Sequence, residues 1–337
     1  MGRSPVSPLH LNHRAVSHME PLELARRAAD GDASESTLSA LETVVDDLAS
    51  AYPRTAPAEL VGHVQRHLTY VEALLDARMT LAERRRLIVI GGWLSLLAAT
   101  CDIDLHHRPA ATARLRTAAA LADQAGHTEI LAWCLETEAW QALTDGDHRR
   151  ALDLAQAAQR VAPRTGSAFI QATAQEGRAW ARLGAGAETR DALARVERLV
   201  TPLAMPDRPE HHYRYDPAKS DAYTATTLAW VGDPAAEPYA RGVLARLESD
   251  GPPRPRRAAS ARLDLALALI ASDRPEEAAH TALEAVTSGR LVPSNYWRAA
   301  EIITAVEYVP AAGELREAFR DLCASSRLQD HGAAGPG

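Results

Sequence analysis

The feature that most limits what this chain can fold into is apolar residues at helical spacing, broken by turn residues at short intervals. In LVGHVQRHLTYVEALL, Leu60, Val64, Leu68, Val71 and Leu75 recur every three or four positions and so share one helical stripe. Leu38, Leu41, Val45 and Leu48 do the same one helix earlier. No run of alternating Val, Ile and Thr is long enough for a strand. Pro53, Gly62, Pro109, Gly126, Gly146, Pro163 and Gly184 punctuate the chain at about half the length of a helical hairpin. The fold class is therefore all-α. Each short helix must bury its stripe against its neighbours, because a single hairpin cannot bury its apolar face alone.

The clearest unit is LETEAWQALTDGDHRRALDLAQAAQRVAP, residues 135–163. Gly146 and Asp147 turn the chain, Ala151 and Ala158 lie seven apart on the following helix, and Pro163 ends it. Weaker copies follow the same plan. IASDRPEEAAHTALEAVTSG has Asp273 at the turn and Ala278 and Ala285 on the next helix. WVGDPAAEPYARGVL keeps Gly232 and Asp233 and moves the small residue to Ala240, and WARLGAGAETRDAL keeps Gly184 before Ala192. With Ala139, Gly146, Ala151, Ala158 and Pro163 at its spacing, the unit resembles the tetratricopeptide repeat. The resemblance implies an α-solenoid of antiparallel helical hairpins over residues 21–326, with a concave inner surface for a ligand. Residues 1–20, rich in Ser, Pro and His, and 327–337, ending DHGAAGPG, read as disordered tails.

Composition narrows the function classes. With 44 acidic against 37 basic residues and a net charge of -7, and with the Arg scattered along helices, the chain lacks a nucleic-acid surface. Its three cysteines, Cys101, Cys134 and Cys323, form no Cys-x-x-Cys pair, which argues against a disulfide framework or a thiolate zinc site and for a reducing cytoplasm. The N-terminus has no continuous apolar core, and the longest uncharged run, Leu87 to Cys101, is shorter than the roughly 18–20 residues of a membrane span. That run reads as a buried helix, and no membrane association is expected.

Over residues 21–323 the chain resembles the C-terminal sensor region of actinobacterial helix-turn-helix regulators of the xenobiotic-response-element type. The strings that carry the likeness include MEPLELARRAADGD, RMTLAERRRLIVIGGWLSLLAATCDIDL, AWCLETEAWQALTDGD, QATAQEGRAWARLG, HHYRYDPAKSDAYTATTLAWVGDPAAEPYAR and ALEAVTSGRLVPSNYWRAAEI. The resemblance implies a regulatory, ligand-sensing role. In that family a DNA-reading domain precedes the solenoid. Here residues 1–20 stand in its place, so direct nucleic-acid binding by this chain is not expected.

Each candidate site has a plainer reading. His63 and His67 stack on one helical face, but Val64 stands where a zinc protease needs Glu and no third ligand follows, so no metal site is assigned. DGDHRRALD lacks the acidic residue that closes a calcium loop, since Gln156 is there, and LGAGAETR lacks the third glycine of a dinucleotide fingerprint. No cofactor is expected, and no catalytic constellation is found. Of the six tryptophans, Trp93, Trp133, Trp140, Trp180, Trp230 and Trp297, inter-repeat packing explains most. Trp140 and Trp180, with polar neighbours such as Arg178, are the pair expected in the groove. Ser294 reads as a helix N-cap, with Asn295 and Arg298 placed to donate into the groove.

PEHHYRYDPAK, residues 209–219, crowds His212, Tyr213, Arg214, Tyr215 and Lys219 into one loop before a helix that Asp216 and Pro217 start. These five complete the expected ligand-contacting set. The expected occupant is a peptide, a small molecule or a partner protein segment, and the sequence leaves open whether the chain forms a homodimer. Two other readings stay open: an enzyme drawing acid-base groups from His212, Tyr213, Tyr215 and Asp216, and a structural adaptor with no small ligand.

Overall fold

The computed structural model describes residues 34–204, 210–249 and 254–333, and within them the side chains of all but residues 218, 219 and 326–333. Among the described residues are fourteen α-helices and no strand. They are α1 (Glu35–Ala51), α2 (Pro57–Leu75), α3 (Leu81–Asp104), α4 (Arg108–Ala125), α5 (Thr128–Thr144), α6 (His148–Val161) and α7 (Ser167–Arg182), followed by α8 (Gly186–Val200), α9 (Pro217–Trp230), α10 (Ala236–Ser249), α11 (Pro255–Ala271), α12 (Pro275–Thr287), α13 (Tyr296–Ala305) and α14 (Ala312–Ala333). A single 3-10 turn, Pro293–Asn295, precedes α13.

Local chemistry sets many of the helix starts. Ser34 caps α1, a reciprocal Thr80–Glu83 capping box opens α3, and the Asp147 carboxylate accepts from the Arg150 amide at 3.1 Å to open α6. Proline stands in the first turn of α2, α4, α11 and α12, where its missing N–H costs nothing. Six of the helix ends share one device. After α5 the chain passes through Gly146 at φ 82°, with the Gly146 amide donating to the Leu143 carbonyl and the Asp147 amide to the Ala142 carbonyl. This paired 5→2 and 6→1 pattern is the Schellman motif. It recurs at Gly126, Gly184 and Gly232, and also at His106 and Asp273, which take the left-handed conformation without being glycine. Gly62, expected as a break, instead lies inside α2. A Cβ there would meet nothing within 4 Å, and the buried Leu60 and Val64 on either side hold the helix through it.

Each odd-numbered helix from α3 to α11 packs against the even-numbered helix that follows it. Small residues permit the approach: Ala139, Ala151, Ala158, Ala192, Ala278 and Ala285 are fully buried, and a Cβ on Gly177 of α7 would come within 3.1 Å of the Ala192 Cβ on α8. A second set of contacts links α1 to α3, α3 to α5, α5 to α7, α7 to α9, α9 to α11 and α11 to α13. The odd-numbered helices thus form a continuous row.

That row closes on itself. The 3-10 turn before α13 touches α3, Ser294 and Arg256 both reach Asp104 at the end of α3, and the Arg256 guanidinium also donates to the Tyr52 carbonyl at 2.8 Å. The loop from Glu210 to Asp216 fastens the seam, with the His212 amide donating to the Ala49 carbonyl at 3.1 Å. One large apolar cluster spans α1 to α5 with Phe169 and Tyr213, and a second spans α9 to α14. Among the described residues only α3 is long and apolar enough to cross a membrane, and 83% of its apolar window is buried in this core. At the C-terminal end α14 continues past Arg327 to Ala333, into the stretch expected as a tail, whereas residues 1–20 lie outside the described residues.

Candidate functional site

Where the row of odd-numbered helices closes, it borders a partly open cavity of about 260 Å³, to which α10 adds Val243 and Leu247. Helical spacing delivers its walls. Trp133, Glu136, Thr137 and Trp140 stand at i, i+3, i+4 and i+7 on one face of α5, and Gln171 and Arg178 lie two turns apart on α7. Ala222, Tyr223 and Thr226 come from α9, Arg256, Ser260 and Asp264 from successive turns of α11, and Ser294, Asn295 and Arg298 from the start of α13. Tyr52, Asp104, Glu210 and His212 complete the seam side, where the His212 ring lies 4.2 Å from that of Tyr52.

Four arginines and four carboxylates line this space, and three of the arginines hold a carboxylate. Asp104 is the most fully used acceptor: Tyr52 Oη and Ser294 Oγ each donate to it at 2.7 Å and Arg256 Nη2 at 2.6 Å. Burial pushes Arg256 down, but Asp104 and Tyr52 outweigh it and raise its pKa above the usual arginine value. Glu210 accepts from Arg257 and, at 3.1 Å, from Arg254, and these cations outweigh burial to hold its carboxyl below the usual range. Arg298 pairs with Asp264 at 2.8 Å, although burial still leaves the Asp264 carboxyl raised.

Arg178 differs. It is 3% exposed, its Nη1 donates to Gln175 Oε1 at 3.2 Å, its Nε has no partner, and it forms no ion pair among the described residues. Its guanidinium lies 5.3 Å from the Tyr223 ring centre and 5.1 Å from that of Trp230. Burial, together with the neighbouring positive charge of Arg298, pushes it down to about 10, so it remains a cation at neutral pH. On the adjoining wall Gln171 Nε2 donates both to Glu136 Oε1 at 3.0 Å and to Tyr223 Oη at 2.7 Å.

The sequence-derived candidates divide. His212, Trp140, Arg178, Asn295 and Arg298 meet at the cavity. Tyr213, Arg214, Tyr215 and Trp180 stand outside it, and the Lys219 side chain lies outside the described residues. The His211–Tyr215 segment is a turn, with the Arg214 amide donating to the His211 carbonyl at 3.2 Å, and it buries residues 211, 213 and 215 while leaving Arg214 exposed. Tyr213 is buried between Trp93 and Trp133 with its hydroxyl 3.1 Å from Thr100 Oγ1, Tyr215 is buried beside Ile170 and Val196, and Arg214 points outward to Asp46 at 3.0 Å. Of the acid-base set His212, Tyr213, Tyr215 and Asp216, only His212 therefore reaches the cavity, and burial raises both tyrosine hydroxyls well above their ordinary range. Trp180 donates to Glu176 at 3.3 Å and packs with Leu143 and Leu152. It lies two residues from Arg178, which places it across α7 from the cavity.

Ser294 is a further correction. Its hydroxyl is not a cap: it donates to Asp104, and Asn295, without a side-chain cap bond, occupies the N-cap position of α13. A buried carboxylate is the stronger acceptor, so the long-range bond prevails. Asp104, Glu136, Gln171, Tyr223, Arg256 and Asp264 were not anticipated. The available signal was polar residues at four- and seven-residue steps along otherwise apolar helices, clearest in α7, where Gln171, Gln175, Glu176 and Arg178 are all buried. Among the described residues no group of three His, Cys, Asp or Glu could hold a metal ion, and His63 Nε2 lies 4.0 Å from Glu59.

No protein-family model matches the sequence, and no curated protein matches it.

Proposed function

We propose that this protein is a small-molecule sensor of regulatory type: a tetratricopeptide-like α-solenoid of antiparallel hairpins whose inner row has curled until its ends meet around a ligand. The observation that carries this reading is the cavity at the closure, walled by α5, α7, α9, α11 and α13 and by the seam residues Tyr52, Asp104 and His212. Its volume falls just below the roughly 300–1,000 Å³ typical of small-molecule sites, which favours a small metabolite over an extended peptide or a partner segment. Its position couples occupancy to shape. A ligand that touches both sides of the seam stabilises the closed form relative to an open one by its differential affinity for the two. In a cytoplasmic regulator that change would be transmitted to a partner protein, in keeping with the resemblance to the sensor regions of helix-turn-helix regulators.

Native mass spectrometry of protein purified from its own host tests this directly. A stoichiometric small molecule, lost on denaturation and raising the melting temperature when added back, is the expected result. A protein that carries nothing and is stabilised by no member of a broad metabolite library would overturn the sensor reading.

A further inference from the structure

Three arginines at the cavity, Arg298 buried and Arg256 and Arg257 half-buried, bind a carboxylate of the chain, and the buried Arg178 does not. Burying a guanidinium with no carboxylate in ion-pair contact is unfavourable, and Glu136 and Asp264 act on Arg178 only at longer range. The fold accepts that cost on α7 and avoids it at Arg256, Arg257 and Arg298. Two neighbours hold the Arg178 side chain in place without neutralising it: the Tyr223 and Trp230 rings, 5.3 and 5.1 Å from its guanidinium carbon. Its hydrogen-bonding capacity is largely unspent, since Nη1 makes one 3.2 Å bond and Nε makes none. Next to it Arg298 also has a free Nε, and it adds positive potential that its Asp264 partner offsets only in part. An oriented guanidinium with no carboxylate in contact, lining a cavity that is open on one side, is suited to receive an anion.

We infer that the ligand is a small organic carboxylate, gripped at the Arg178 guanidinium, with its apolar body among the rings of Tyr223, Trp140 and His212. The planar fork of arginine offers two parallel donors in one plane, which suits a flat carboxylate. A phosphate, with charge spread over three or more oxygens, asks for donors from several directions, and the other cavity arginines are already committed to Asp104, Glu210 and Asp264. The aromatic walls supply stacking area for a ring-bearing acid, and Gln171 and Thr226 supply hydrogen bonds at its edge.

This assignment rests on the sensor reading, and the test separates the two. Calorimetry and thermal-shift measurements on the full chain would use matched pairs: benzoate with benzamide, phenylacetate with phenylacetamide, and indole-3-acetate with indole-3-acetamide, with inorganic phosphate alongside. At least one acid is expected to bind about ten-fold or more tightly than its amide, because only the acid makes the charge-assisted bond. Arg178→Gln should bring the affinity for that acid down to that of the amide and leave the amide unchanged. The acid-amide comparison needs no variant, so it holds even if Arg178→Gln folds poorly. Equal binding of acid and amide, an acid affinity untouched by Arg178→Gln, binding of phosphate alone, or no binding by any acid would each overturn the assignment. If a neutral molecule binds or is retained on purification, the carboxylate assignment falls and the sensor reading stands. If nothing binds and nothing is retained, both fall.

Discussion

Asp104 and Arg178 are both buried charges on the wall of the same cavity, 1% and 3% exposed, and they are treated in opposite ways. Asp104 receives three donors from three distant parts of the chain, Tyr52, Arg256 and Ser294. Arg178 receives one neutral acceptor from its own helix and two aromatic rings. A satisfied buried charge holds elements together, whereas an unsatisfied one stores attraction for something absent. Burial and location alone do not distinguish a structural charge from a binding charge; the count of partners does.

The contrast breaks most visibly at Asp104. Asp104→Ala removes the acceptor shared by the seam and strands Arg256, and a buried pair broken from one side costs about 3–5 kcal/mol. Urea unfolding followed by circular dichroism should show that loss. A change below about 1 kcal/mol would show that the seam is not held by this cluster.

Glu210 is the second clasp, and its effect is pH-dependent. Arg257 and Arg254 hold its folded pKa below the ordinary 4.5, so the unfolded chain binds the proton more readily in acid. Its contribution is therefore complete above pH 4.5 and is lost as pH falls through the lower folded value. Glu210→Gln should lower stability near pH 7 by about 1–3 kcal/mol, the cost of leaving buried charged donors poorly partnered, and should flatten the acid limb of the stability profile. An unchanged acid limb would assign that limb to other carboxylates.

How much of this was legible depended on the range of the interaction. Helices and most turns follow from local rules: apolar spacing marked α1 and α2, and Gly146, Gly184, Gly232 and Asp273 marked the hairpin turns. The turn between α3 and α4 was marked by Pro109 alone, because His106, not glycine, takes φ 60° there. Arg178, Trp140, Asn295, Arg298 and His212 could be nominated by residue type, but helical register and the turn at 211–215 then sorted Trp180, Tyr213, Arg214 and Tyr215 away from the cavity. Asp104 and Ser294 meet across 190 positions of chain. Their contact depends on the accumulated curvature of the helix row, which no local pattern encodes, and so the seam could not be read in advance.

Tyr213 sharpens the contrast on a smaller scale. It belongs to the loop that fastens the seam, and its hydroxyl, 3.1 Å from Thr100, is a satisfied buried group away from the cavity. Tyr213→Phe should cost about 0.5–1.5 kcal/mol of stability, the net worth of one hydrogen bond, and leave affinity for a cavity ligand unchanged. A drop in affinity with stability retained would return Tyr213 to the ligand-contacting set.

The smallest stability effect is expected where the charge is least satisfied. Arg178→Met keeps much of the apolar stem against Tyr223 and Trp230 while removing a cation that has no carboxylate partner. Replacing a poorly compensated buried charge with an apolar side chain of similar length is often neutral or favourable, so unliganded stability should move by no more than about 1 kcal/mol in either direction. Asp104→Ala and Arg178→Met, measured side by side in urea, then separate two roles that burial alone does not. If Arg178→Met is as damaging as Asp104→Ala, the Arg178 guanidinium is itself a structural tie and the distinction between the two charges collapses.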